Sequence, residues 1–83
     1  MDMKELVEAI AKALVDNPNE VQVRVLDGQQ TTVFELRVMP EDIGKVIGKQ
    51  GRTAAALRTL ASVAGEQEGK SVTLEIRDTP YKG

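Results

Sequence analysis

The 83 residues contain no cysteine and no histidine. Without cysteine there is no disulfide, no thiolate metal site and no cysteine nucleophile. Without histidine, the commonest general base at neutral pH and the commonest zinc ligand are both missing. Aromatic residues are scarce: Phe34 and Tyr81 are the only two. No apolar run approaches the roughly 20 residues of a membrane span. No signal-peptide pattern opens the chain, so a cytoplasmic protein is the expectation.

Acidic residues are missing from one place in particular. The net charge is -2, yet no Asp or Glu stands between Asp42 and Glu66. That stretch carries Lys45, Lys49, Arg52 and Arg58, a local +4 against -6 for the other residues. A basic patch on an acidic body suits a polyanion bound at one place. A solvated helix face with clustered cations would read the same way.

Length and hydropathy pattern define one small domain, which buries only about 60% of its unfolded surface. Asp2 and Glu5 have capping-box spacing, and Met3, Leu6, Val7, Ile10 and Leu14 share one face at helical spacing. Asp16-Asn17-Pro18-Asn19 ends that helix. Val21, Val23 and Val25 alternate with polar residues, as do Thr32, Phe34, Leu36 and Val38 after a turn-like Asp27-Gly28-Gln29-Gln30. The pair predicts a hairpin. Pro40, Glu41 and Asp42 suit the start of a short helix whose buried face is Ile43, Val46 and Ile47. A longer helix follows from Arg52 to Ala64, with Gly65 as its stop, and Val72, Leu74 and Ile76 mark a last strand. Residues 79–83 are expected to fray.

The order is α-β-β-α-α-β. It predicts an α/β (α+β) two-layer sandwich, a three-stranded mixed sheet with helices on one face. The strands on either side of the two-helix crossover should be parallel if adjacent.

Between the two middle helices stands Gly48-Lys49-Gln50-Gly51. Such a corner can be no more than a tight turn. It also admits a second backbone closely, beside a helix N-terminus that favours anions. Lys49 and Arg52 add positive charge, and Val46, Ile47, Ala54 and Leu57 flank it with apolar side chains. Glycines for approach, cations for phosphate and an apolar groove for bases together make a single-strand binding site.

The run Val46-Ile47-Gly48-Lys49-Gln50-Gly51-Arg52-Thr53 resembles the V-I-G-x-x-G signature of KH domains, whose GxxG loop clamps four backbone nucleotides. The element order resembles the bacterial, type II form of that fold. With its size, the whole chain is similar to the small single-KH RNA-binding proteins of bacteria (the KhpA type). The resemblance implies single-stranded RNA binding, as an RNA chaperone or post-transcriptional regulator. It implies that Gly48 and Gly51 shape the loop and that Lys49 and Gln50 face phosphates. Arg52 and Lys45 would flank the strand, and Ile43, Val46, Ile47 and Ala54 would form the groove floor or its support. Ala54 stands where KH domains commonly carry a large aliphatic residue, which implies a shallower groove or a looser core beneath it. A second, larger KH-containing protein is the implied partner.

Competing motifs are poor fits. Gly44 and Gly48 are separated by three residues rather than the four of a P-loop, and Gln50 replaces its Ser or Thr. Glu41, Asp42, Glu66 and Glu68 have no nucleophile or ligand set beside them, and read as helix-dipole partners and loop solvation. No cofactor, metal or catalytic site is expected. The shortage of aromatics disfavours modules that read bases by stacking.

One further surface stands out. The helix from Arg52 to Ala64 has an apolar arc of roughly 180°, wider than the ~100° stripe of an ordinary surface helix. Its edge Ala56, Leu60 and Val63 is available for a homodimer or for a related KH protein, unless the first helix covers it. A protein-interaction adaptor that dimerises, with weak RNA contact, is thus the alternative function.

Overall fold

The computed structural model describes residues 2–78. The expected frayed tail and Tyr81 lie outside the described residues. Six main elements follow in the expected order: α1 Met3–Leu14, β1 Gln22–Asp27, β2 Thr31–Val38, α2 Ile43–Ile47, α3 Arg52–Gln67 and β3 Ser71–Asp78. Short 3-10 turns at Pro18–Glu20, Pro40–Asp42 and Lys49–Gly51 lead into β1, α2 and α3.

The Asp2 carboxylate accepts from the Glu5 N–H at 2.8 Å and caps α1. Val7 and Ala11 carry the buried face of that helix. Leu14, assigned to the same face by its spacing, is exposed, and the adjacent Val15 is buried instead. The chain leaves the helix at Val15 with extended backbone, which turns its side chain inward.

β2 is the central strand, antiparallel to β1 and parallel to β3. Its inward residues Thr32, Phe34, Leu36 and Val38 are all buried, as the alternation predicts. β1 is an edge strand and burial fades along it, from half-buried Val23 to exposed Val25. The helices supply Val7, Ala11, Val46, Leu57 and Ala61 to one core against the sheet. On the opposite face Glu35 is buried and accepts from Arg37 Nε at 3.2 Å. Arg77 Nε stands 3.5 Å from the same carboxylate.

One detail of the expected helices is corrected. α3 does not stop at Gly65 but runs on to Gln67. Gly65 is buried within it because a Cβ there would strike the Val72 side chain and stand 2.8 Å from the Lys70 carbonyl oxygen. The stop is Gly69, at φ +71°. Gly69 N–H donates to the Glu66 carbonyl at 3.1 Å and Lys70 N–H to the Gly65 carbonyl at 2.9 Å, a Schellman closure. Asp42 stands at the N-terminus of α2 as expected, but it does more than face the helix dipole. It is fully buried, and its carboxylate accepts from the backbone N–H groups of Asp16 and Asn17.

Candidate nucleic-acid interface

The corner between α2 and α3 is built from left-handed backbone. Gly48 has φ +79°, Gln50 +57° and Gly51 +73°. At Gly48 the need for glycine is double. The angle disfavours a side chain, and an added Cβ would strike the Thr53 side chain. At Gly51 only the angle matters, because nothing stands within 4 Å of a Cβ placed there. Gly51 N–H closes the turn onto the Gly48 carbonyl at 3.1 Å. Gln50 holds an angle that costs a non-glycine residue about 1–2 kcal/mol. Its Oε1 accepts from Arg52 Nη2 at 3.1 Å, across the turn.

The basic residues divide into two groups. Lys45 is engaged: its ammonium bonds the Asp16 carboxylate and stands 3.8 Å from that of Asp42. The bond to Asp16, with the charges of Asp16, Asp42 and Glu41, outweighs desolvation and holds the ammonium above its ordinary pKa. Lys49, Arg52 and Arg58 have no ion pair among the described residues. All three are exposed. The unneutralised charge is thus concentrated at the loop and along the first turns of α3.

The apolar residues divide as well. Val46 and Ala54 are buried beneath the corner, so they support the site and offer no surface of their own. Ile43 is half-buried, packed against the core. Ile47 is the correction: placed on the buried face of α2 by its spacing, it is exposed. α2 is only five residues long. Gly48 turns the chain away immediately after Ile47, leaving that side chain beside the loop. Ile47, Lys49, Gln50 and Arg52 are thus all exposed at or beside the glycine corner, Arg58 stands further along α3, and Lys45 is tied to the α1–β1 connection. Composition identifies the basic run but not which of its cations are neutralised.

This order of elements, wrapped on a mixed three-stranded sheet with a GxxG corner between paired helices, is that of a KH domain. The sequence model of the KhpA/KhpB KH-domain family matches residues 4–76, and the chain belongs to that family. It is 57% identical over 74 residues to the RNA-binding protein KhpA of Clostridium acetobutylicum, covering 89% of this chain and 99% of the relative. Against the RNA-binding protein KhpA of Aquifex aeolicus the identity is 54%, covering 89% and 94%. Among solved structures, the fold is similar to part of a single-substitution variant of Aquifex aeolicus Era bound to GDP.AlF4-, with TM-score 0.58 and 18% identity. It is also similar to part of Era in complex with MgGDPNP and nucleotides 1506–1542 of 16S ribosomal RNA, with TM-score 0.57 and 22% identity. Each match covers 94% of this chain but only 31% or 30% of the Era chain, and at such identity the likeness concerns the fold alone. No helix of the described residues is long and apolar enough to cross a membrane.

Proposed function

We propose that the chain binds single-stranded RNA through the Gly48–Gly51 loop and the adjoining apolar surface, in the cytoplasm, as an RNA chaperone or post-transcriptional regulator. The supporting observation is the company the loop keeps. Three cations without carboxylate partners, Lys49, Arg52 and Arg58, lie at or just beyond a glycine corner beside the exposed Ile47. Lys49, Arg52 and the loop amides hold phosphates, while Ile47 offers bases an apolar contact. The names of the relatives, RNA-binding protein KhpA, agree with this reading.

The test replaces the loop side chains. Lys49→Asp with Gln50→Asp puts two carboxylates where phosphates would lie, at exposed positions that contribute little packing. Binding of a fluorescent single-stranded RNA is expected to disappear while the circular dichroism spectrum is unchanged. Undiminished binding by the folded double variant would refute the site. Nuclease-sensitive absorbance at 260 nm in the purified parent is a simpler companion measurement.

A second reading rests on α3. Leu60 and Val63 are 42% and 50% exposed, and α1 does not cover them. With Ala56 they form a surface for a homodimer, or for a heterodimer with a second KH-containing protein. In that reading the chain is an adaptor with weak RNA contact.

A further inference from the structure

α3 presents a separate row of side chains toward the open edge of β3, which is the outer strand of the sheet. Ser62 Oγ reaches the Val72 carbonyl at 3.5 Å, and Arg58 Nε donates to the Leu74 carbonyl at 3.4 Å. Four residues along the helix thus match two along the strand, so side chains of α3 cap successive edge carbonyls. The next carbonyl on that edge, by the alternation of the strand, is that of Ile76. The matching helix position one turn earlier is Ala54, which carries no donor. The capped stretch of the β3 edge therefore ends at Arg58. Beyond it, toward the Gly48–Gly51 loop, no side chain of α3 caps the edge among the described residues.

Arg58 marks that border. It is six residues past the start of α3, about 9 Å along the helix axis at 1.5 Å per residue. A strand clamped by the loop for several nucleotides is long enough to span that distance. The guanidinium has donors only, five N–H in a planar fork. One of them, on Nε, is held by Leu74, and no carboxylate pairs with the rest among the described residues. The bond through Nε restrains the fork and leaves both Nη groups to donate elsewhere.

We infer that Arg58 is a base-specificity residue of this site, selecting a nucleotide whose base presents two adjacent hydrogen-bond acceptors. This rests on the RNA-binding reading given above. Guanine offers such a pair at O6 and N7, and cytosine at O2 and N3. In adenine and uracil each acceptor on the exposed edges is next to a donor, so a donor-only fork meets at most one of them. A bidentate arginine pair is worth about 1–3 kcal/mol of discrimination, roughly 5- to 150-fold. Arg52 and Lys49 serve a different end: they act on phosphates and carry no base information.

The experiment compares octa-uridine with octamers carrying one central guanosine, cytidine, adenosine or 7-deazaguanosine. Each is titrated against the parent, Arg58→Ala and Arg58→Lys, with circular dichroism to show that the variants are folded. The parent is expected to prefer the guanosine or cytidine octamer to the adenosine and uridine ones by at least about 5-fold. Both variants are expected to lose that preference; octa-uridine affinity is expected to fall in Arg58→Ala, which removes a charge, and to hold in Arg58→Lys, which keeps it. If guanosine is preferred, 7-deazaguanosine should behave like adenosine, which assigns the O6/N7 edge; if cytidine is preferred, the O2/N3 edge is assigned. Equal binding of all five octamers by the parent overturns the role of Arg58 while leaving RNA binding intact. So does a preference that survives Arg58→Ala, or one that survives in Arg58→Lys. A parent that binds none of the octamers overturns both this inference and the RNA-binding reading beneath it.

Discussion

The carboxylate of Asp42 and the side-chain amide of Asn17 meet at 2.9 Å, across 25 residues of chain. Asp42 also accepts from the backbone N–H of Asn17 at 3.1 Å and of Asp16 at 3.2 Å. One fully buried side chain thus fastens the α1–β1 connection to the base of α2. It also sets the position of Lys45 and, through the five-residue α2, that of the glycine corner.

This tie predicts an acid-sensitive component of stability. Burial disfavours the charged form of Asp42. The bonds from the Asn17 side chain and from the Asp16 and Asn17 N–H groups, with the Lys45 charge, outweigh it and hold the carboxyl below its ordinary value. Asp27 is lowered as well, by hydrogen bonds from Lys70 and Thr32 and by the Lys70 charge. A carboxylate whose pKa is lower folded than unfolded stabilises above the unfolded value, about 4. The contribution is lost as pH falls through the lower, folded value. Urea midpoints measured from pH 7 to pH 2 are expected to fall at the acid end. In Asp42→Asn the midpoint at pH 7 should be lower and the acid decline shallower. An acid decline of unchanged steepness in that variant would show that the tie is not its source.

The corner glycines predict an asymmetry. At Gly48 an alanine meets both the unfavourable angle and the Thr53 side chain, with Thr53 N at 3.1 Å from the new Cβ. At Gly51 it meets the angle alone. Gly51→Ala is expected to cost about 1–2 kcal/mol, the usual penalty for a left-handed non-glycine residue. Gly48→Ala should cost more, about 2–4 kcal/mol once the steric conflict is added. Chemical denaturation of the two single variants decides this. Equal losses would mean that Thr53 yields without cost.

Much of this fold is legible in the sequence because its elements follow local rules. The alternation Thr32, Phe34, Leu36, Val38 and the Asp2 cap each depend on residues a few positions apart. What escaped depends on contacts remote in sequence. Nothing near Asp42 shows that Asn17 lies beside it. Gly65 reads as a helix stop until Val72 is known to pack against it. Ile47 and Leu14 have the spacing of buried residues, but each is at the last turn of its helix, where the stripe leaves the core. The GxxG corner was legible because its glycines and cations are contiguous. The neutralisation of Lys45 was not, since Asp16 is 29 residues away.

Phosphate clamping predicts a definite salt response. A loop that neutralises about three phosphates of a single strand should give a log-log slope of about -2. Titrations of one short RNA at several salt concentrations measure it. A slope near zero would exclude phosphate contacts as the main source of affinity. Duplex RNA of the same length is expected to bind more weakly, because paired bases cannot lie against Ile47.

The last prediction concerns association through α3. Its core-facing residues are Ala54, Leu57, Ala61 and Gly65, while Leu60, Val63 and Ala56 lie on a neighbouring, exposed stripe. The stripe is apolar, and its one small residue, Ala56, allows close helix approach. A self-complementary stripe most simply closes as a two-fold pair, α3 against its own copy. Pairing would place two weak RNA sites on one particle and raise avidity. Leu60→Asp sets a charge at the centre of the stripe and removes no core contact. Sedimentation at tens of micromolar is expected to give a dimer for the parent and a folded monomer for the variant. Its affinity for an RNA long enough to span two sites should fall, while that for an octamer stays level. A parent that sediments as a monomer leaves pairing with a second KH protein as the role for this face, tested by mixing the two and repeating the measurement with Leu60→Asp.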